Sequence, residues 1–227
     1  MDKVATLYHQ TLWTSDGALG LDYLRNERGF SDETIKLFNL GYCPTGYLET
    51  QVTPTEKHFL TQLKHFKGDK LWDMFSGRVV FPITQDDGTT LGFSGRLLNV
   101  GDRTDKYLNT PTNMLFKKVN HVFGIAQARR NIFLANNAII CEGFTDAVSA
   151  HQAGFGITVA AMGTRFTEHQ LLRIARYSMN LTLMFDSDAA GEATTQRSIE
   201  MATSMGFTIK TVSLEPGTDP DDFFRNK

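Results

Sequence analysis

The second half of the chain is written as short apolar runs separated by longer amphipathic stretches. From residue 138 the order is AIIC, a stretch through DAVSAHQAG, then ITVAA, EHQLLRIARYS, LTLMF, EATTQRSIEMATSMG and TIKTVSL. The brief uninterrupted runs suit strands buried on both faces, and the stretches between them carry apolar residues at helical spacing. Parallel neighbours need such crossovers, because a tight turn joins only antiparallel strands. The pattern predicts an α/β fold over residues 138–227, a mainly parallel βαβαβαβ sheet flanked by helices.

Residues 1–137 follow another rhythm and are expected to form a mixed α+β subdomain. VATLYHQTLW and ALGLDYLRNERG read as helices, the second closed by Gly29, and Ser31 is placed to cap the next. Residues 54–66 put Phe59, Leu63 and Phe66 on one helical face behind Pro54, a residue suited to a first turn. RVVFPIT and TLGFSGRLL are strand-like and flank QDDG, whose Asp-Gly pair signals a hairpin, so a β-hairpin is expected at 78–98. A helix through IAQARRNIFLA then leads to a boundary near 136–138.

Composition narrows the class. With 227 residues, 41% hydrophobic and 21% charged, the chain has the make-up of an ordinary globular protein of one or two domains. No uncharged run approaches the roughly 20 residues of a membrane helix, and MDKVATLYHQ lacks the apolar core of a secretory signal, so a cytoplasmic location is expected. Cys43 and Cys141 are far apart and lack ligand spacing, which excludes a cysteine zinc site and leaves two core residues. The net charge of −2 conceals an asymmetry. Lys64, Lys67, Lys70, Arg78, Arg96, Arg103, Lys106, Lys117, Lys118, Arg129 and Arg130 crowd the middle, whereas acidic residues gather towards the end, which fits a basic groove beside an acidic pocket.

The acidic residues fall where chemistry is expected. Ligands of open parallel sheets bind outside the carboxyl ends of the strands. AIIC is followed by Glu142-Gly143, LTLMF by Asp186-Ser187-Asp188, and the loop after TIKTVSL reaches Asp219-Pro220-Asp221, while Asp146 lies one turn into the first helix. Carboxylates converging at one edge need a cation, and all-oxygen ligation suits Mg²⁺ or Mn²⁺ sharing its shell with phosphates. Asp188 and Asp219 also read as helix N-caps, Asp219 with Pro220 behind it. Asp186, at the end of an apolar strand, would be costly as an unpaired buried charge.

Taken in order, CEGFTDAVSAHQAG, AMGT, FDSDAAGEA and GTDPDDF resemble the successive motifs of the Toprim fold in the version found in bacterial DnaG-type primases. Upstream, GRVVFPI, GFSGR, KYLNTP, and LFKK followed by FG are similar to the amino-terminal part of the primase RNA polymerase domain. The resemblance implies synthesis of RNA primers on single-stranded DNA from ribonucleoside triphosphates. It implies that Glu142, Asp186 and Asp188 are catalytic and that these three, with Asp219 and Asp221, bind the metal. Arg28, Arg78, Arg96, Lys106, Asn109 and Lys118 match positions lining the nucleotide and template path, and Asp146 matches an acidic position beside Glu142. Arg28 and Arg78 also read as a helix-end cation and a strand-edge charge. Tyr107 and Trp72 read as core residues before base-stacking ones, and none of the six histidines has ligand spacing.

DnaG-type primases usually carry a zinc-binding module before this region and a helical, helicase-interacting part after it. Neither is in the sequence, which resembles an excised catalytic core or a naturally minimal primase. Two rival readings use the same residues: a Toprim nuclease, against which KYLNTP and LFKK argue, and a non-catalytic module binding single-stranded DNA or a nucleotide.

Overall fold

The computed structural model describes residues 1–67, 72–98, 106–163, 166–185, 189–215 and 217–225, and of residues 189–195 the backbone alone. Asp186, Asp188, Lys70 and Arg103 lie outside the described residues. The chain divides into one unit of Met1–Thr84 with Gly88–Lys117 and a second of Gln85–Asp87 with Lys118–Lys227.

In the first unit the expected helices form as α1 (Asp2–Leu12), α2 (Ala18–Asp22) and α3 (Asp32–Leu37), the last capped by Ser31 Oγ accepting from Thr34 N–H. The stretch read as one helix from residue 18 to Gly29 is in fact α2 followed by a π-type turn, Tyr23–Glu27, which closes at Gly29 with φ +67°. Strand β1 (Gly41–Cys43) and helix α4 (Leu48–Gln51) follow. Helix α5 (Pro54–Gln62) begins on a capping box in which Thr53 and Glu56 exchange bonds. It stops short of the expected residue 66, because Lys64 turns with φ +60° and Phe66 enters the ribbon of β2 (Phe66–Lys67) and β3 (Trp72–Asp73).

The hairpin forms as β4 (Arg78–Thr84) and β5 (Thr90–Leu97), with Gly88 at φ +94° in its turn. With β1 and β6 (Tyr107–Asn109) it makes an antiparallel sheet in the order β1-β4-β5-β6. One face of this sheet packs Val80, Phe93 and Cys43 with Tyr8, Leu60, Phe66 and Phe75 in a shared core. Within that core Tyr8, His65 and Asp73 form a buried polar knot. Tyr8 Oη donates to Asp73, lies 2.8 Å from His65 Nε2, and Cys43 Sγ donates to Asp73 Oδ2 at 3.2 Å. A buried carboxylate is tolerable here because each oxygen has donors.

In the second unit the predicted alternation appears as α6 (Ile125–Ala135), β7 (Ala138–Cys141), α7 (Phe144–Gln152), β8 (Thr158–Ala160), α8 (Glu168–Ala175), β9 (Asn180–Leu183), α9 (Ala189–Ser204), β10 (Thr208–Thr211) and α10 (Pro220–Arg225). The four strands run parallel in the order β10-β9-β7-β8. Ile140, Val159, Leu181 and Leu183 from the sheet meet Leu171, Ile174 and Phe207 in one core. Helix α6 sends Ile125, Ala128 and Ile132 into that core. The packing division at Lys117/Lys118 therefore precedes the expected boundary at 137/138, because apolar side chains rather than the change of strand pattern decide membership.

Polar ties finish this unit. Gln170 Nε2, almost fully buried, donates to the carbonyls of His121 at 2.7 Å and Ala161 at 2.9 Å. Asp86 accepts from Arg173, from Arg176 at 2.8 Å and from Tyr177 Oη at 2.6 Å. Both cysteines are buried, as expected of core residues. Among the described residues no helix is long and apolar enough to cross a membrane.

Candidate functional site

The strand order of the second unit sets where a ligand belongs. The chain leaves β7 for β8 on one side and returns through α8 to β9 on the other side of β7. Such a reversal opens a crevice at the carboxyl ends of the two strands. Ile140 is paired with Leu183, and Met184 N–H donates to Ile140 O at 2.9 Å, so β7 and β9 end together. Glu142 follows β7 there, half-buried, with Oε1 shielded from solvent. Asp186 follows Phe185 in the chain beyond β9.

Gly143 and Asp146 fix the backbone beside Glu142. Gly143 is the N-cap of α7, and its N–H donates to Asp146 Oδ2 at 2.8 Å. A Cβ on Gly143 would stand 2.9 Å from that oxygen. Glycine at this position thus lets the carboxylate close on the chain. Asp146 is buried and caps the helix.

The C-terminal acidic pair has separate duties. Asp219, exposed, N-caps α10: its Oδ1 accepts from Asp222 N–H at 2.7 Å, with Pro220 as the first helical residue. Asp221 is 2% exposed, accepts a hydrogen bond from Ser149 Oγ on α7, and lies 3.9 Å from Arg225 Nη1. Sequence reasoning missed Ser149, whose only signal is that it lies on the same helix as Asp146.

Lys118 lies in a 3₁₀ turn, Lys118–Asn120, of the same unit. Its Nζ is 2.9 Å from where a Cβ on Gly163, just beyond β8, would stand, so the ammonium reaches the carboxyl edge of the sheet. Burial lowers its pKa, and among the described residues no carboxylate pairs with it. A desolvated cation of this kind gains from an anionic ligand.

The donor set suits a hard divalent cation, since every candidate ligand is a carboxylate. Among the described residues no group of three or more His, Cys, Asp or Glu is arranged to hold a metal. Asp186 and Asp188, which the expected centre includes alongside Glu142, lie outside the described residues.

The first unit holds the other residues singled out from sequence. Arg28 Nε donates to Tyr23 Oη at 2.7 Å, and Arg96 Nε donates to the same oxygen at 3.1 Å. Arg96 also lies over Tyr107, its cross-strand partner, at 5.3 Å from the ring centre. Asn109, paired with Ser94, shares that sheet face. Arg78 is 5% exposed and donates through Nη1 to the carbonyls of Gly95 at 3.1 Å and Lys106 at 3.3 Å. Lys106 is exposed. Trp72, expected in the core, is 44% exposed at the edge of the β2–β3 ribbon, and Tyr107 is half-buried under Arg96.

Comparison with known proteins places these features in a family. Residues 7–129 match the family of the DNA primase catalytic core, N-terminal domain, and residues 139–224 match a Toprim-like family. The DNA primase of Deinococcus radiodurans is 37% identical over 211 residues, covering 89% of this chain and 36% of that protein. The DNA primase of Staphylococcus epidermidis is 33% identical, covering 99% of this chain and 38% of that protein. The chain thus spans somewhat over a third of the relatives it matches. A solved DnaG catalytic core is 30% identical with a TM-score of 0.89, covering 100% of this chain and 74% of that one. A DnaG primase catalytic domain solved bound to single-stranded DNA is 29% identical with a TM-score of 0.90, covering 100% and 73%. This chain belongs to the DnaG-type DNA primase family, of which it carries the catalytic-core region and its Toprim-like domain.

Proposed function

We propose that this chain is the catalytic core of a DNA primase, joining ribonucleotides into short RNA primers on a single-stranded DNA template. The observation that carries the reading is Glu142, a carboxylate with one shielded oxygen at the crevice where the parallel sheet reverses its strand order. The likeness to a primase domain solved with single-stranded DNA supports the choice of template.

In this reaction a primer 3′-hydroxyl attacks the α-phosphorus of a nucleoside triphosphate and pyrophosphate leaves. Glu142, Asp186, Asp188, Asp219 and Asp221 would hold divalent cations, Mg²⁺ or Mn²⁺, which when bound neutralise phosphate charge and favour the attacking alkoxide. Asp146 orients the strand end by accepting from Gly143 N–H, immediately after Glu142. Lys118, a half-buried cation at the sheet edge, offsets phosphate charge. In the first unit Arg28, Arg96 and Lys106 bind phosphates, and Asn109 bonds sugar or base. Arg78 serves that surface by holding the backbone beside Arg96 and Tyr107 through the Gly95 and Lys106 carbonyls.

A replicative helicase is the partner expected for the longer proteins of the family, and the cytoplasm the expected compartment. The test is incorporation of labelled ribonucleotides on a single-stranded template with Mg²⁺. Strict dependence on triphosphates and template is the expected result. Nicking of plasmid DNA in their absence would identify a nuclease instead.

A further inference from the structure

Helix α8 holds the backbone that follows Lys118 by three successive carbonyls. Thr167 Oγ1, on the residue that caps the helix, donates to Val119 O at 2.6 Å. Arg173 Nε donates to Asn120 O at 3.2 Å, and Gln170 Nε2 to His121 O at 2.7 Å. Residues 167, 170 and 173 are spaced by three, so they stand in one row along the helix, and that row pins the turn. Asp86 accepts from Arg173 Nη1, which meets the charge of Arg173 and leaves its Nε to act as a positioned donor.

Gln170 also ties this turn to the end of the sheet. Its Nε2 donates a second bond to Ala161 O at 2.9 Å, and its Oε1 accepts from Thr167 N–H at 3.0 Å. The side chain is 1% exposed, so it cannot swing without leaving a buried carbonyl unmet. Ala161 N–H in turn donates at 3.0 Å to the carbonyl of Cys141, the last residue of β7. Met162, buried, follows with φ +63°, a left-handed conformation that is costly for a residue with a side chain. Gly163 comes next, with Lys118 Nζ against it. Strain of this kind persists where neighbours over-determine it, and it gathers at functional positions. Packing alone does not call for the row, because Leu171 and Ile174 already anchor α8 in the core. What the three bonds fix is the place of the turn that begins at Lys118, relative to the strand end that its ammonium reaches.

Resting on the reading that Lys118 meets a ligand phosphate, we propose that Thr167, Gln170 and Arg173 are positioning residues, a row on α8 that holds Lys118 at the carboxyl edge of the sheet. Gln170 is its centre, since one amide joins the Lys118 turn to the end of β8. The row touches no ligand and acts through Lys118. The phosphate belongs either to a nucleoside triphosphate or to a nucleic-acid strand.

Gln170→Met keeps the length of the side chain and removes both donors. Thr167→Val removes the hydroxyl, and Thr167→Ser keeps it. Affinities for ATP with Mg²⁺ and for a single-stranded oligonucleotide are measured separately, each variant being made alone and in a Lys118→Met background, with melting midpoints to show that it folds. Gln170→Met and Thr167→Val should each weaken, by about three- to tenfold, the ligand that Lys118 contacts, the scale of losing one hydrogen bond that places a charge. Thr167→Ser should bind within about twofold of wild type. A loss confined to ATP assigns the phosphate to the triphosphate, and a loss confined to the oligonucleotide assigns it to the strand. In the Lys118→Met background the losses should shrink to less than about twofold, because the row acts through Lys118. A merely structural role would give the same loss in both backgrounds. Unchanged affinity for both ligands in the folded Gln170→Met and Thr167→Val proteins would overturn the proposal, as would losses that persist in full without Lys118, or wild-type affinity in Lys118→Met itself. Losses that depend on Lys118 in a chain whose wild type makes no primers would support the positioning row and refute the primase reading.

Discussion

Replacing Gly143 by alanine isolates the contact that sets Glu142. The backbone at Gly143 is extended, with φ −98° and ψ 157°, a conformation alanine adopts freely. Any cost of Gly143→Ala must therefore come from the new methyl group. It would stand 2.9 Å from Asp146 Oδ2, 3.2 Å from its Cγ and 3.3 Å from Oδ1. The carboxylate has to swing away, which breaks the 2.8 Å bond from Gly143 N–H. Loss of a cap of this kind costs about 1 kcal/mol. If the N–H is left buried and unmet the cost rises to about 2–3 kcal/mol. For a chain of this size that lowers the melting midpoint by roughly 2–4 °C per kcal/mol. The functional effect should be disproportionate, because a displacement of about 1 Å at a reacting group can cost about a hundredfold. Thermal unfolding followed by circular dichroism gives the first quantity, and ribonucleotide incorporation on a single-stranded template gives the second. Asp146→Asn, which keeps an acceptor for Gly143 N–H, should stay much closer to wild type in both. A Gly143→Ala protein that melts and polymerises like wild type would refute the argument that this contact positions Glu142.

Two further outcomes follow from the second unit. His121 is held neutral by burial and by the charge of Arg173, only partly opposed by Asp86, with a pKa of about 4. Because that is below the unfolded value, the folded state binds fewer protons, so this contribution to stability is full above about pH 6.5 and is lost as pH falls to about 4. Imidazole resonances followed by NMR should give a His121 midpoint near 4, and a midpoint near 6.5 would contradict the packing. Lys118→Met should weaken single-stranded DNA or triphosphate binding and, if the ligand is the strand, reduce the salt slope of log K by roughly one unit or less. An affinity and a salt slope both unchanged would remove Lys118 from the ligand path.

The parallel half of the fold is legible because its strands are short, β7 and β8 are mainly apolar, and helices separate them, one with a clear cap at Thr167, whose hydroxyl accepts from Gln170 N–H. The hairpin is legible from its Asp-Gly turn. Strands β1 and β6 are not, since each has three residues and is held by pairing with a neighbour rather than by alternation of its own. The π-type turn at Tyr23 also leaves no local signature, because it differs from a helix only in which carbonyl the Arg28 N–H reaches. Of the candidate site, the strand-end carboxylates could be found by position along the chain. Their partners could not: the bond of Ser149 to Asp221 joins residues 72 apart in sequence, and the meeting of Arg96 with Tyr23 spans 73. Asp219 shows that one residue can satisfy both the cap reading and the acidic pattern, since its Oδ1 already accepts from Asp222 N–H.

On the proposed reading, a carboxylate centre formed by residues that follow β7 and β9 in the chain drives primer synthesis. Glu142→Gln keeps the size and hydrogen-bonding capacity of the side chain and removes its charge. The decisive measurement is the rate of primer synthesis on single-stranded DNA with Mg²⁺ for Glu142→Gln and Asp186→Asn proteins whose melting midpoints match wild type. A fall of about a hundredfold or more in each is predicted, whereas folded variants that make primers at the wild-type rate would contradict the account.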